Sequence, residues 1–432
     1  MSALTVRQAQ FRFLLLLGLR WFPVGLLIPG TVLLALERGL SIAQVGAVAV
    51  AQGITVMILE LPTGGLSDAI GRRPVLLLAG AVNLVSLSVL LVAGSPALFF
   101  VYFLLQGIYR ALDSGPLEAW YVDHALVADP DADIEAGLSR SGVVLGLSIG
   151  GAALISGGII ALGPVDLGAM ELSALTVPVA LAIALSLIST IAVGVLMTED
   201  RPARGMVALV SSVRGVPAAI GGALRLVRRS RVVAALILVE LFWGFGMATF
   251  ETLMPVRLSE VLGSADDAAA LMGPAGSAAW AASAAGAALI PLLYRRIGAP
   301  WTGFVLRIAQ GVTVLGMGLF AGPVGLITAF LLCYAVHGAA NPVHVGLLHR
   351  QVDGPYRASV LSLNSMIGQP GSALGLITLT AIAASAGTST AMLVGAGVLA
   401  VAAPLYLVRA KPAPAVTEGD QVVVHGGVSA ER

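Results

Sequence analysis

Gly64-Gly65-Leu66-Ser67-Asp68-Ala69-Ile70-Gly71-Arg72-Arg73-Pro74 separates two long apolar runs. The glycines leave almost no side-chain volume, so two helices joined here can bring their backbones close together. One acid precedes the joint and two arginines follow it. At a membrane surface, positive charge of that kind favours the cytoplasmic side.

The rest of the chain agrees with a membrane setting. Of 432 residues, 58% are hydrophobic and 11% are charged, against about 25% charged in an ordinary soluble domain. A spanning helix takes about 20 apolar residues, so the length accommodates a dozen spans with short loops. Continuous apolar runs exclude a transmembrane barrel, which needs short alternating strands. The single cysteine, Cys333, excludes an internal disulfide. The first apolar run outlasts a signal h-region and reads as the first helix.

Runs read against breakers place helices near residues 12 to 36, 41 to 66, 74 to 94, 97 to 125, 138 to 163, 172 to 197, 232 to 261, 268 to 293, 301 to 320, 323 to 349, 357 to 384 and 388 to 408. The expected organisation is an N-terminal six-helix bundle over 1 to 197, a cytoplasmic linker over 198 to 231, a C-terminal six-helix bundle over 232 to 408, and a disordered tail over 409 to 432. Counted from an inside start, cytoplasmic segments collect most of the arginines, and outer loops and helix ends hold only Arg38 and Arg257. That bias predicts both chain ends in the cytoplasm. In the linker, Leu209, Val210, Val213 and Val216 recur at helical spacing, which suits an amphipathic helix on the inner leaflet. The halves repeat one another weakly. Ile70-Gly71 aligns with Ile297-Gly298, and Pro116 with Pro342, which sets Glu118 opposite His344 and Asp123 opposite His349.

The opening segment, placed between the second and third apolar runs, resembles the loop between helices 2 and 3 of the major facilitator superfamily: Gly, small, Leu, Ala or Ser, Asp, two residues, Gly, Arg, Arg or Lys. The resemblance implies an all-α integral membrane protein of twelve helices in two six-helix halves. It also implies a cytoplasmic gate of Gly64, Gly65, Asp68, Gly71, Arg72, Arg73, Asp123 and Arg357, in which Asp123 pairs with Arg72 or Arg73 and Asp68 faces Arg357 at the start of helix 11. Gly142, Gly146, Gly150, Gly151, Gly157 and Gly158 form a small-residue ladder in helix 5, similar to that of the superfamily's drug and proton antiporters, with Leu147 where those carry proline.

A charge at the bilayer centre costs at least about 2.5 to 3.5 kcal/mol, so each one inside a span needs a partner or water. Arg110 and Asp113 are three residues apart on helix 4 and read as neighbours, a self-neutralising pair or a binding site. Arg20 on helix 1 and Glu60 on helix 2 read as a fixed pair, or Glu60 as a proton carrier. Glu240 and Glu251 share one face of helix 7, with Phe242, Trp243, Phe245 and Phe250 around them as a wall for an apolar or cationic ligand, or simply as packing. Tyr334, His337, Asn341 and His344 make a polar stripe on helix 10, and Asn364 adds a donor on helix 11.

The candidate proton-coupling residues are therefore Glu60, Asp113, Glu240 and Glu251. Candidates for a substrate cavity are Arg20, Arg110, Glu118, Trp243, Tyr334, His337, Asn341 and Asn364. The reading is a secondary transporter of a bacterial cytoplasmic membrane, proton-coupled and exporting a drug-like or metabolite small molecule by alternating access. A proton-coupled importer of a small metabolite is one alternative, and an intramembrane serine hydrolase is the other. The expected partners are the small-molecule substrate, protons and the bilayer, with no nucleic acid, no cofactor, no metal and a monomeric state. Gly146-Leu147-Ser148-Ile149-Gly150 matches a serine nucleophile pattern, but that motif needs a strand-to-helix turn and Ser148 falls within a helical run.

Overall fold

The structure, a computed structural model, describes residues 4–166, 168, 171–199, 221, 225, 227–228, 230–351 and 357–409, without the side chains of Leu61, Gly64, Gly65, Asp68 and residues 357–362. The chain opens with α1 (Val6–Leu27) and α2 (Thr31–Glu37), interrupted at Pro29-Gly30, where proline supplies no backbone N–H. α3 (Ile42–Ile70) and α4 (Arg72–Val92) follow, then α5 (Pro96–Asp113) and α6 (Pro116–Ala128), α7 (Ile134–Ala161) and α8 (Val177–Leu196). The C-terminal half holds α9 (Arg231–Glu251), α10 (Leu253–Leu262), α11 (Ala265–Leu319), α12 (Pro323–Arg350), α13 (Arg357–Ala386), α14 (Thr388–Val401) and a 3-10 turn (Ala403–Leu407).

Local chemistry sets these limits. Thr5 with Gln8 and Ser41 with Gln44 form reciprocal capping boxes at α1 and α3. Ser95 caps α5, whose first residue is Pro96. Gly115 adopts a left-handed φ of +93° before Pro116, which breaks the fourth span into α5 and α6.

Ten helical segments among the described residues are long and apolar enough to cross a membrane. One is the 55-residue α11, which bends at Gly298 (φ 75°, ψ 164°) into two crossings, and α5 with α6 supplies a further one. The sum is consistent with twelve crossings. The opening segment is tighter than its sequence suggested. α3 continues helically through Ile70 and α4 begins at Arg72, so the joint is the single residue Gly71, at φ +98°. A two-residue antiparallel pair, Val165–Asp166 with Glu171–Leu172, closes the loop before α8. The amphipathic helix expected around Leu209 to Val216 and the tail beyond Arg409 lie outside the described residues.

The two halves meet through α3 against α13 and α7 against α11, with α2 touching α10 and α11. Close backbone approach runs along these seams, with the Thr380 side chain seated on Gly46. A Cβ on Gly273 would stand 2.6 Å from Gly157 Cα and 2.7 Å from the Ala153 carbonyl oxygen, and one on Gly46 would stand 2.8 Å from the Leu376 carbonyl oxygen. The buried core shows where the halves are joined. At the end formed by α2 and the start of α11, one apolar cluster runs through both halves, from Leu33, Leu87 and Phe99 to Phe250, Met272 and Leu379. At the opposite end the core splits. Phe13, Leu76, Trp120 and Val193 belong to the first half alone, and Val233, Leu306, Leu348 and Tyr406 to the second alone. Among the described residues, the core is therefore sealed at one end and divided by a cleft at the other.

Gly273→Val forces the α7 and α11 backbones apart and is expected to cost about 1 to 3 kcal/mol, seen as a lower melting temperature in detergent. Gly142→Ala, at a position whose Cβ would meet nothing within 4 Å, is expected to leave it unchanged. Equal melting of the two variants would show that the seam tolerates a side chain.

Candidate functional site

In the first half, Arg20 reaches from α1 to Asp113, the last residue of α5, and forms an ion pair with it. The guanidinium is buried, with 7% of the residue exposed. This corrects both sequence pairings. Asp113 is held by Arg20 rather than by its helical neighbour Arg110, and Arg20 is engaged there rather than at Glu60. Buried Arg20 needs an opposite charge and finds it in Asp113 at the end of α5, while exposed Arg110 can meet water. Glu60 lies half-buried on α3, and its backbone carbonyl accepts the Thr63 hydroxyl at 3.0 Å.

A polar network backs the pair. Gln106 donates to Asn83 Oδ1 at 3.0 Å and to Ser86 Oγ at 3.1 Å, and Asn83 donates to Ser186 Oγ at 3.2 Å. A small cavity beside Arg20 is lined by Asn83, Tyr109, Ser186, Ser189 and Thr190.

The second half carries a larger buried cluster. His344 Nε2 lies 3.6 Å from Glu240 Oε2 and 3.0 Å from Asn364 Oδ1, while its Nδ1 lies 3.1 Å from the Tyr406 hydroxyl. Arg307 donates to Gln310 Oε1 at 2.6 Å, hydrogen-bonds Tyr406 and acts electrostatically on Glu240. Arg307, Gln310 and Tyr406 were not singled out in the sequence. A lone arginine in the run from Trp301 to Leu319 was the available signal, since an unexplained charge in a span implies a partner.

Between the halves, Arg110 on α5 and Glu251 at the end of α9 are both exposed, and the Arg110 charge acts on Glu251. Residues of opposite halves thus address one another across the cleft. Beside them stands an aromatic wall. Trp243 and His337 stack with centroids 5.4 Å apart and planes 10° from parallel, Phe250 meets Tyr334 edge-on at 5.7 Å, and Glu251 also acts on Tyr334. Asn341 is exposed on α12, one turn beyond His337. Glu118 is exposed in the first turn of α6, where an acid suits the positive end of the helix.

At the divided end, Arg72 Nη1 lies 2.6 Å from Asp123 Oδ2, and Arg73 donates to the Gly194 carbonyl at 2.5 Å. The carboxylate of Glu199, which sequence reading passed over as part of the linker, accepts the backbone N–H of Arg72 at 2.6 Å and of Arg73 at 2.9 Å. It caps α4 across the Gly71 joint. Gly64 and Gly65 fall in the helical backbone of α3, and the expected contact between Asp68 and Arg357 lies outside the described side chains. Ser148 sits inside α7 with no turn to expose it as a nucleophile.

Several comparisons bear on this arrangement. Residues 13–343 match the family described as the Major Facilitator Superfamily. Among solved structures, the nucleoside transporter NupG superposes with a TM-score of 0.73 at 14% identity, over 92% of this chain and 98% of that one. A bacterial homologue of the human lysosomal transporter Spinster, in an inward-facing and occupied conformation, gives 0.73 at 14% identity, over 92% and 95%. A peptide transporter of the POT family in complex with a thioalcohol-conjugated peptide gives 0.68 at 13% identity, over 92% and 95%. No curated protein matches the sequence closely. At these identities the structural likeness establishes the fold, and the match over most of the sequence establishes the kinship. The chain is a multi-pass membrane transporter rather than an enzyme, and it belongs to the Major Facilitator Superfamily.

Proposed function

We propose that this chain is a proton-coupled exporter of a small molecule with an apolar or aromatic body, working by alternating access in a bacterial cytoplasmic membrane. The observation that carries the reading is Arg110 facing Glu251 across the cleft, beside the wall of Trp243, His337, Tyr334 and Phe250. A motion that opens one end and closes the other must change the separation of these two charges. Anything that neutralises or competes for Glu251 therefore biases the two states.

A proton and a cationic or hydrogen-bonding substrate compete for the same carboxylate. Competition at one site yields exchange, in which each species displaces the other, rather than co-transport. The arginine bias of the sequence places the divided end in the cytoplasm, so this state would load substrate from inside. Asp113, held by Arg20, and Glu240, held by His344, are proposed as buried proton carriers behind the cleft, with Glu60 as a third. The Arg72 and Asp123 pair, with Glu199 on the Gly71 joint, is proposed to keep the first half rigid as it moves. In this reading both chain ends lie in the cytoplasm, the protein works as a monomer, and its partners are substrate, protons and lipid.

Inverted vesicles with an acid interior are expected to accumulate substrate, whereas accumulation by intact cells along the inward proton gradient would identify an importer. Glu251→Gln is expected to lower proton-driven transport at least about tenfold and to flatten its pH dependence. Full-rate transport with an unaltered pH profile would remove Glu251 from the scheme. Arg20→Gln strands the buried Asp113 charge and should cost roughly 3 to 5 kcal/mol of stability, whereas Arg20→Gln with Asp113→Asn should recover most of it in thermal unfolding. Failure of the double variant to recover would show that Arg20 acts through other contacts.

A further inference from the structure

The two halves treat equivalent joints in opposite ways. Gly71 and Gly298 both hold a left-handed φ, +98° and +75°, at the turn into a following helix. Acids surround the first. Glu199 accepts the N–H groups of Arg72 and Arg73, and Asp123 pairs with Arg72. Counted back from the joint glycine, Asp68 corresponds to Arg295. Counted from Pro116 and Pro342, Asp123 corresponds to His349. Counted three residues beyond the helical ends at Leu196 and Leu407, Glu199 corresponds to Ala410, which lies outside the described residues. Each acid of the first joint is replaced at the second by a basic or neutral residue.

The replacements gather into one patch. Arg295, Arg296, His349 and Arg350 are all exposed, and the Arg350 guanidinium lies 5.4 Å from the centroid of the Tyr294 ring, which brings the ends of α11's first segment and α12 together. Trp301, 51% exposed, heads a run of exposed apolar residues, Val305, Ile308, Val312, Leu315 and Leu319, spaced by three or four. That spacing is one face of a helix, and an apolar face left open on a membrane protein meets lipid. The arginines therefore stand where a lipid-facing stripe reaches the membrane surface, at the depth where tryptophan sits among headgroups.

We infer that this ledge binds the headgroup phosphate of an anionic phospholipid, which supplies to the second joint the negative charge that Glu199 and Asp123 bring to the first. Guanidinium forks match phosphate oxygens in pairs, and the acyl chains would lie along the Trp301 stripe. The continuity between the basic ledge and that apolar stripe is what selects a lipid over a free anion. The inference depends on neither the coupling ion nor the direction of transport, so it stands or falls separately from the proposed function.

Native mass spectrometry of the purified full chain, with phosphatidylglycerol competed against phosphatidylcholine, tests it without any variant: retained phosphatidylglycerol is expected, and equal retention of the two lipids overturns the inference. Loss of each arginine should weaken phosphatidylglycerol binding about fivefold, and Arg295→Gln, Arg296→Gln and Arg350→Gln together about a hundredfold. The corresponding three Lys substitutions should stay within about tenfold of the parent, because most of the charge attraction remains. Arg140→Gln, a basic residue of the first half, should leave binding unchanged. Unaltered binding by the triple Gln protein, an equal loss in Arg140→Gln, or displacement of the lipid by millimolar inorganic phosphate would each overturn the assignment.

Discussion

An ionised side chain inside a bundle sheathed by hydrocarbon must find an opposite charge, a hydrogen-bond partner or water, and this protein is organised around the three answers. Arg20 and Asp113 take the first, in the buried centre of the N-terminal half. Glu240, His344, Asn364, Tyr406 and Arg307 take the second, as a connected cluster in the C-terminal half. Arg110 and Glu251 take the third, exposed in the cleft and acting on one another from opposite halves. Of the three, the third lies between the halves, which is why the proposed coupling is centred there and the buried clusters stand behind it.

Close backbone approach makes such a cleft possible. Helices that touch through Gly157 and Gly273, or where Gly46 receives the Leu376 carbonyl and the Thr380 side chain, bring their backbones into close approach at the sealed end. The apolar core follows the same division. It is continuous through both halves at the sealed end and split in two at the other, so burial in one conformation joins the halves at one end only. A two-state transporter needs this asymmetry, because an interface equally strong at both ends would have no reason to open either.

The joints of the two halves share a backbone feature and differ in chemistry. Both joints use a left-handed glycine, at Gly71 and Gly298. At the outer ends, Arg38 donates to the carbonyls of Leu90, Leu91 and Ala93 at the end of α4, and Arg257 donates to the Phe320 carbonyl at the end of α11, so each half closes its third span with an arginine from its first. Cations at helix C-termini suit the dipole. The correspondence is evident from the contacts and was not evident from the residues, since the arginines do not fall at matching distances from the aligned glycines.

Family resemblance offered Arg72 or Arg73 as the partner of Asp123, and the structure selected Arg72. The sequence carried the class of protein, most of the spans and the tight joint before Arg72, because these depend on composition, on runs of about 20 residues and on a local motif with fixed spacing. It also named most of the ionisable residues that the structure places in or beside the cleft. It did not determine their partners. Periodicity along one helix joined Arg110 to Asp113, whereas an arginine ninety-three positions earlier closed the pair and Arg110 stands exposed. Glu199 looked like linker until it was seen to cap α4, and Arg307 had no reading until Glu240, Gln310 and Tyr406 were around it. Charge partners in a membrane bundle come from different helices, and which helix faces which is settled by packing in three dimensions, so only the tertiary structure could decide them.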